Sequence, residues 1–238
     1  MPEPLLTRFL QPLLAGRRAD CFAILHDALR RGVPAERLVH ELLWPAIGQV
    51  QRLYRDDRIN RACESMAARI LRAAACQLQP HLTQRAATGR RMLVTCADGV
   101  EQETGAELVA DLFQADGWEV YFVGPDVPED EMLALVGELR PDALLIFGTE
   151  AAGVPHARRF VDLIREVGAV PQMNVIVSGG VFNRADGLWR EVGADLFVES
   201  AEELIRQAGQ LGPRDPHKRR TGVVKKRRRK RKAVVGRI

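Results

Sequence analysis

The segment TCADGVEQETGAELVADLF, residues 95–113, decides the fold. It continues a short apolar run, RMLVTC (91–96), through a small polar loop and straight into GAELVADLFQADG, whose apolar spacing is that of a helix. A strand that ends in a loop and feeds a helix is the junction at which α/β proteins hold anionic or nucleotide-like ligands. This loop, 97–105, holds no histidine, no lysine and no close-set glycine fingerprint. A phosphate cradle is therefore not what it offers, and its purpose has to come from its surroundings.

Downstream the same rhythm repeats. The runs WEVYFVG, DALLIFG, NVIVSGG and ADLFVES read as strands, and helical patterns follow each of them, the one after NVIVSGG being the short RADGLWREVG. Strict alternation implies a parallel sheet covered on both faces, with ligands at the carboxyl ends of the strands. Upstream, PLLTRFLQPLLAGR, ADCFAILHDALRRG, PAERLVHELLWPAIGQVQRLYRDD and NRACESMAARILRAAACQLQPHL are four amphipathic helices with short connections. The expected architecture is α/β: a four-helix bundle over residues 4–82, then a flavodoxin-like (Rossmann-like) five-stranded parallel sheet over 90–211.

The net charge of +4 conceals two regions. Residues 214–238 hold thirteen of the 35 Lys and Arg but one of the 31 acids, so the rest of the chain carries about −8. The segment from 212 to 238 has too little apolar surface for its charge to fold alone and is expected to be a disordered basic tail. Its run KKRRRKRK (Lys225, Lys226, Arg227, Arg228, Arg229, Lys230, Arg231 and Lys232) can pair with phosphates without reading bases. No apolar run approaches the ~18 residues of a membrane span, and the first twenty residues lack the pattern of a signal peptide. Cys21, Cys63, Cys76 and Cys96 form no CxxC pair, so buried free thiols in a reducing cytoplasm are expected.

Three loops fall at the sheet's ligand edge: Ala97–Gly105, FGTEAAG after the third strand, and SGGVFN after the fourth. Gly179 and Gly180 have two readings there, close approach to a ligand or a turn that needs positive φ. With the helical bundle in front, these spacings resemble the cobalamin-binding modules of methionine synthase and related corrinoid proteins. The similarity is greatest to the light-sensing CarH regulators and the AerR/PpaA group. It covers about residues 4–210, and GAELVADLFQADGWEVYFVGPDVP reads much like the corresponding CarH segment.

In that family the three loops read DxHxxG, SxL and GG. Anchored on Gly105, the first falls on Val100 to Gly105, the second near Gly148-Thr149-Glu150, and the third on Gly179-Gly180. The bundle's tryptophan followed at fixed spacing by Glu-His corresponds to Tyr54 and Glu64-Ser65. The resemblance implies that Tyr54 covers the upper face of a corrin. It also implies departures. Gln102 stands where the family has its lower histidine ligand, Val100 replaces the carboxylate that orients it, Gly148 replaces a serine, and Ser65 replaces the bundle histidine. A neutral amide is a poor cobalt ligand, so protein metal ligation is not expected.

The expected ligand is cobalamin, with its own benzimidazole or water on cobalt; the alternatives are another tetrapyrrole or none. The expected role is regulatory, non-enzymatic and exercised on a protein partner, since the bundle begins at once with no DNA-binding domain before it. The alternatives are a corrinoid carrier for methyl transfer and a cofactor-free adaptor. Among the remaining residues, His156 reads as an exposed helix-start histidine, Glu101, Glu103 and Glu150 as solvated loop charges, and Trp44 as bundle core. Removing residues 214–238 is expected to abolish most affinity for DNA or RNA. Binding by the intact chain should fall with salt at a logarithmic slope of about −0.9 per duplex phosphate neutralised. Binding that survives the truncation, or holds at high salt, would place the contact elsewhere.

Overall fold

A computed structural model of the chain describes residues 4–97, 99 and 103–216. Val100, Glu101, Gln102 and the run Lys225–Lys232 lie outside the described residues.

The bundle contains α1 (Leu5–Leu14), α2 (Arg18–Arg30), α3 (Ala35–Leu38), α4 (Trp44–Arg55) and α5 (Arg61–Leu78). Sequence periodicity runs α3 and α4 together, and the chain does nearly that, but a π-helical turn, Val39–Leu43, separates them. The cause is Pro45. It has no N–H to give to residue 41, and its ring crowds that carbonyl, so the preceding turn widens. Asn60 starts α5 by accepting the Cys63 N–H at 2.9 Å. The bundle core holds Phe9, Leu13, Leu25, Leu42, Leu43 and Leu78 without exposure. Each such burial contributes about 1.5–3 kcal/mol.

The sheet is parallel throughout, in the order β2-β1-β3-β4-β5. Its strands are β1 (Arg91–Cys96), β2 (Glu119–Gly124), β3 (Ala143–Phe147), β4 (Asn174–Ser178) and β5 (Leu196–Phe197). Val94 of β1 is level with Phe122 in β2 and Leu145 in β3. The helices are α6 (Thr104–Ala115), α7 (Glu129–Leu139), α8 (Val154–Val167), α9 (Gly180–Arg184), α10 (Leu188–Val192) and α11 (Ala201–Gln210). Side chains alternate along the strands. Met92, Val94, Leu145 and Phe147 join one core with α6, α11 and the bundle, whereas Leu93, Leu144, Ile146 and Val175 join a second core with α7 and α8.

The structure departs from the sequence reading at several residues. The stretch SGGVFN is not all loop, because α9 begins at Gly180 directly after the bend at Gly179. Cys76 is exposed and Cys63 half-buried, rather than buried. Gly212 and Arg214, counted above with the tail, are hydrogen-bonded to the fold. Asn174 Nδ2 donates to the Gly212 carbonyl at 2.9 Å, and the Arg214 N–H donates to the Gln172 carbonyl at 2.8 Å. Arg214 Nε also reaches Asp195 at 3.1 Å, beside Arg165 on the same carboxylate at 2.6 Å. A cation counted with the tail is thus part of a charge cluster in the fold, and a truncation that spares it begins at 217.

Arg72 of α5 ties the bundle to α6. It pairs with Glu103 and lies 3.0 Å from Glu107 Oε2, an ion-pair contact without hydrogen-bond alignment. Glu103 is therefore buried, not a solvated loop charge. Asp111 follows one turn later. Burial, and then the charge of Glu107, push its carboxyl up to about 6 from 3.8. The raised value means that its contribution to stability is fully present below pH 3.8 and is lost as pH rises through about 6. Asp111→Asn should accordingly raise stability at pH 7.5 by roughly 1–2 kcal/mol, about 1.4 kcal/mol per pKa unit discounted for partial exposure. It should also flatten the loss between pH 4 and pH 6. Urea denaturation across that range checks this, and an unchanged midpoint at pH 7.5 would contradict it.

Candidate functional site

Strand β1 has β2 on one side and β3 on the other, so the connections after β1 and β3 leave the sheet in different directions. The crevice between their carboxyl ends is where open α/β sheets take ligands. Here the bundle sits over it. Trp44, at the start of α4, meets the ring of Phe147, the last residue of β3, edge to face with centroids 6.2 Å apart. Behind this contact the seam narrows to a cavity of about 20 Å3 lined by Ile47, Val50, Gln51, Glu64, Leu71 and Gly105, among others. That is room for about one water.

The candidate residues divide by position. Glu64 and Gly105 line the seam. Glu64 is 3 % exposed, and its Oε2 has no hydrogen-bond partner. Burial raises the Glu64 carboxyl pKa; Arg61 pulls it down and Glu150 pushes it further up. Glu150, after β3, is thereby electrostatically linked to the bundle. Ser65 follows Glu64 on α5 and is half-buried. Tyr54 does not line the cavity; the guanidinium of Arg61 covers its ring at 5.9 Å. The aromatic that reaches the sheet edge is Trp44, which the sequence assigns to the core.

The glycines also differ from one another. Gly179 has φ +104°, and a Cβ there would lie 2.1 Å from the Gly148 carbonyl oxygen. It is required by the turn and by the close approach of two backbone loops. A Cβ on Gly148 would press on Phe182 and Val181 at 3.1 and 3.2 Å. Gly180 lies under the bundle: a Cβ there would be 2.9 Å from Arg184 Nη1 and 3.7 Å from Gln51 Oε1. Arg184 Nη2 donates to the Thr149 carbonyl at 2.5 Å, joining the second and third loops. Sequence reasoning missed Gln51, Arg184 and Phe147; of these only Phe147 had a signal, sharing strand parity with Ala143 and Leu145.

His156 is elsewhere. Its Nε2 lies 3.2 Å from Glu129 Oε1, and it lines a small crevice with Met132 and Phe160 against the opposite core. A groove of about 860 Å3 runs beside α3, the end of α6 and α11, and none of the candidate residues lines it. Among the described residues no helix is long and apolar enough to cross a membrane.

Comparison with known proteins fits this arrangement. A family model described as B12 binding domain matches residues 90–208, and a second with the same description matches residues 5–78. Dimethylamine corrinoid protein 2 of Methanosarcina mazei is 23 % identical over 212 residues, covering 88 % of this chain and 97 % of that one. Dimethylamine corrinoid protein 3 of Methanosarcina acetivorans is 25 % identical over 187 residues, covering 78 % and 86 %. The solved monomethylamine corrinoid protein of Methanosarcina barkeri has the same fold, with a TM-score of 0.76 at 19 % identity, covering 87 % of this chain and 97 % of that one. With one domain model on the sheet and another on the bundle, the chain belongs to the B12-binding domain family, and its cofactor is cobalamin.

Proposed function

We propose that the chain is a corrinoid carrier: it holds cobalamin between its bundle (4–82) and the carboxyl edge of its sheet domain (90–211) and presents it to a separate methyltransferase. The observation that carries this reading is the match to dimethylamine corrinoid proteins over nearly their whole length. These relatives favour the carrier over the regulatory role expected from the CarH-like resemblance.

The polar groups of the seam fit such a ligand. A corrin rim carries amide side chains whose N–H groups donate hydrogen bonds, and the unpartnered Glu64 oxygen is an acceptor facing the cavity. Gln51 adds a side-chain amide above Gly180, where the absence of a side chain leaves bare backbone under the bundle. Arg184 fixes the loops on which the ligand would rest. Tyr54, Ser65 and Glu150 are proposed for the rim of the site, with Gly148 and Gly179 setting the shape of its floor. Val100 and Gln102, from the sequence, offer cobalt no imidazole. Small-molecule sites typically span ~300–1,000 Å3, so loading requires the bundle to part from the sheet edge. When bound, cobalamin supplies a cobalt centre that can take up and release a methyl group. The protein's part is to orient it and to exclude water from the covered face.

Incubation with cob(II)alamin followed by gel filtration should leave the corrinoid on the protein. After reduction, the retained cofactor should be methylated from a methylamine by an added methylamine:corrinoid methyltransferase. Glu64→Gln should weaken retention about tenfold, the scale of one charge-assisted hydrogen bond. A chain that keeps the corrinoid but is never methylated, and changes oligomeric state when loaded with adenosylcobalamin and illuminated, would restore the regulatory reading. A chain that keeps no corrinoid would remove the site.

A further inference from the structure

The β1/β3 crevice has one wall on the first turn of α6 and the other at the end of β3. On the α6 wall, Gly105 presents bare backbone. The space this leaves is filled from within: a Cβ on Gly105 would lie 2.5 Å from Cζ and 2.8 Å from Cε1 of Phe147. Phe147 is 4 % exposed, with α6 on one side of its ring and Trp44 at 6.2 Å on another. The neighbouring passage, between the loops after β3 and β4, is closed as well, by the backbone contact of Gly148 with Gly179. A flat ring lying across the edge meets polar groups, but a group reaching down into the sheet along α6 meets an aromatic plug.

We infer that Phe147 restricts this site to the corrin ring, excludes the cofactor's nucleotide loop from the sheet, and so leaves the benzimidazole of a bound cobalamin on its own cobalt. The inference rests on the carrier reading and specifies the form of corrinoid that such a carrier accepts. Two independent features agree with it: the plug leaves the loop outside the protein, and residues 97–105 contain no histidine to displace the benzimidazole. Recognition that stops at the corrin also makes the site indifferent to the lower nucleotide.

The test uses cob(II)alamin, a cob(II)alamin whose benzimidazole nitrogens are 15N, and cob(II)inamide, which lacks the nucleotide. The full chain should bind cob(II)alamin and cob(II)inamide with affinities within about threefold of each other. The electron paramagnetic resonance spectrum of the bound labelled cofactor should show the doublet splitting of a 15N axial ligand. Phe147→Ala should raise the ratio of cob(II)alamin affinity to cob(II)inamide affinity by about tenfold or more, and should lose the doublet as the loop enters the opened crevice. Because removing a buried phenyl ring can destabilise the fold, Phe147→Leu provides a milder opening with the same expected direction, and the wild-type spectrum needs no variant. A triplet from a 14N protein ligand, no nitrogen splitting, or a clear preference for cob(II)alamin over cob(II)inamide would overturn the inference while leaving the carrier reading intact. Retention of neither corrinoid would overturn both.

Discussion

The first turn of α6 packs directly on the ring of Phe147 because residue 105 has no side chain, and the rest of the site is arranged around that contact. It sets the distance between α6 and the end of β3. It places Phe147 where Trp44 can meet it from the bundle. It also brings Glu103 and Glu107 within reach of Arg72, which links the bundle to the sheet domain. The seam is thus an apolar contact at its centre with a charged seal at its side. Any side chain at 105 would have to displace a buried aromatic, a change that a close-packed core resists.

In the proposed binding mode this arrangement separates the two halves of the cofactor's recognition. The upper part of the seam sets Gln51, Thr104 and Glu64, whose buried Oε2 has no donor, among Ile47, Val50 and Leu71. An orphaned acceptor of that kind costs free energy until something donates to it, so ligand binding and closure of the bundle reinforce each other. The lower part is apolar and already filled. A site that is unsatisfied above and plugged below suits a flat ligand with a polar rim.

Much of this was legible in the sequence. Short apolar runs place all five strands and period-3.6 patterns the four bundle segments, and the flavodoxin-like sheet follows from the strict alternation of strand and helix. What was not legible depended on partners distant in the chain. Glu103 reads as a solvated loop tip until Arg72, 31 residues away, is brought beside it. Arg214 reads as the first residue of a basic tail until Asp195 claims it. Tyr54 and Trp44 lie on the same helix segment with similar surroundings in sequence, and only the crossing of α4 over the sheet edge puts Trp44 at the contact. Gly179 shows both readings of a glycine at once, since its positive φ serves the turn and the missing Cβ admits a carbonyl.

Hydrogen–deuterium exchange of the full chain, with and without cobalamin, tests most directly whether the corrin is held at the seam. Slower exchange on binding should be confined to residues 44–51 of α4, 61–72 of α5, 104–112 of α6 and the loops after β3 and β4. Helix α8 and the crevice around His156 should be unchanged. Protection centred on His156 and α7, or along the large groove beside α3 and α11, would contradict the account.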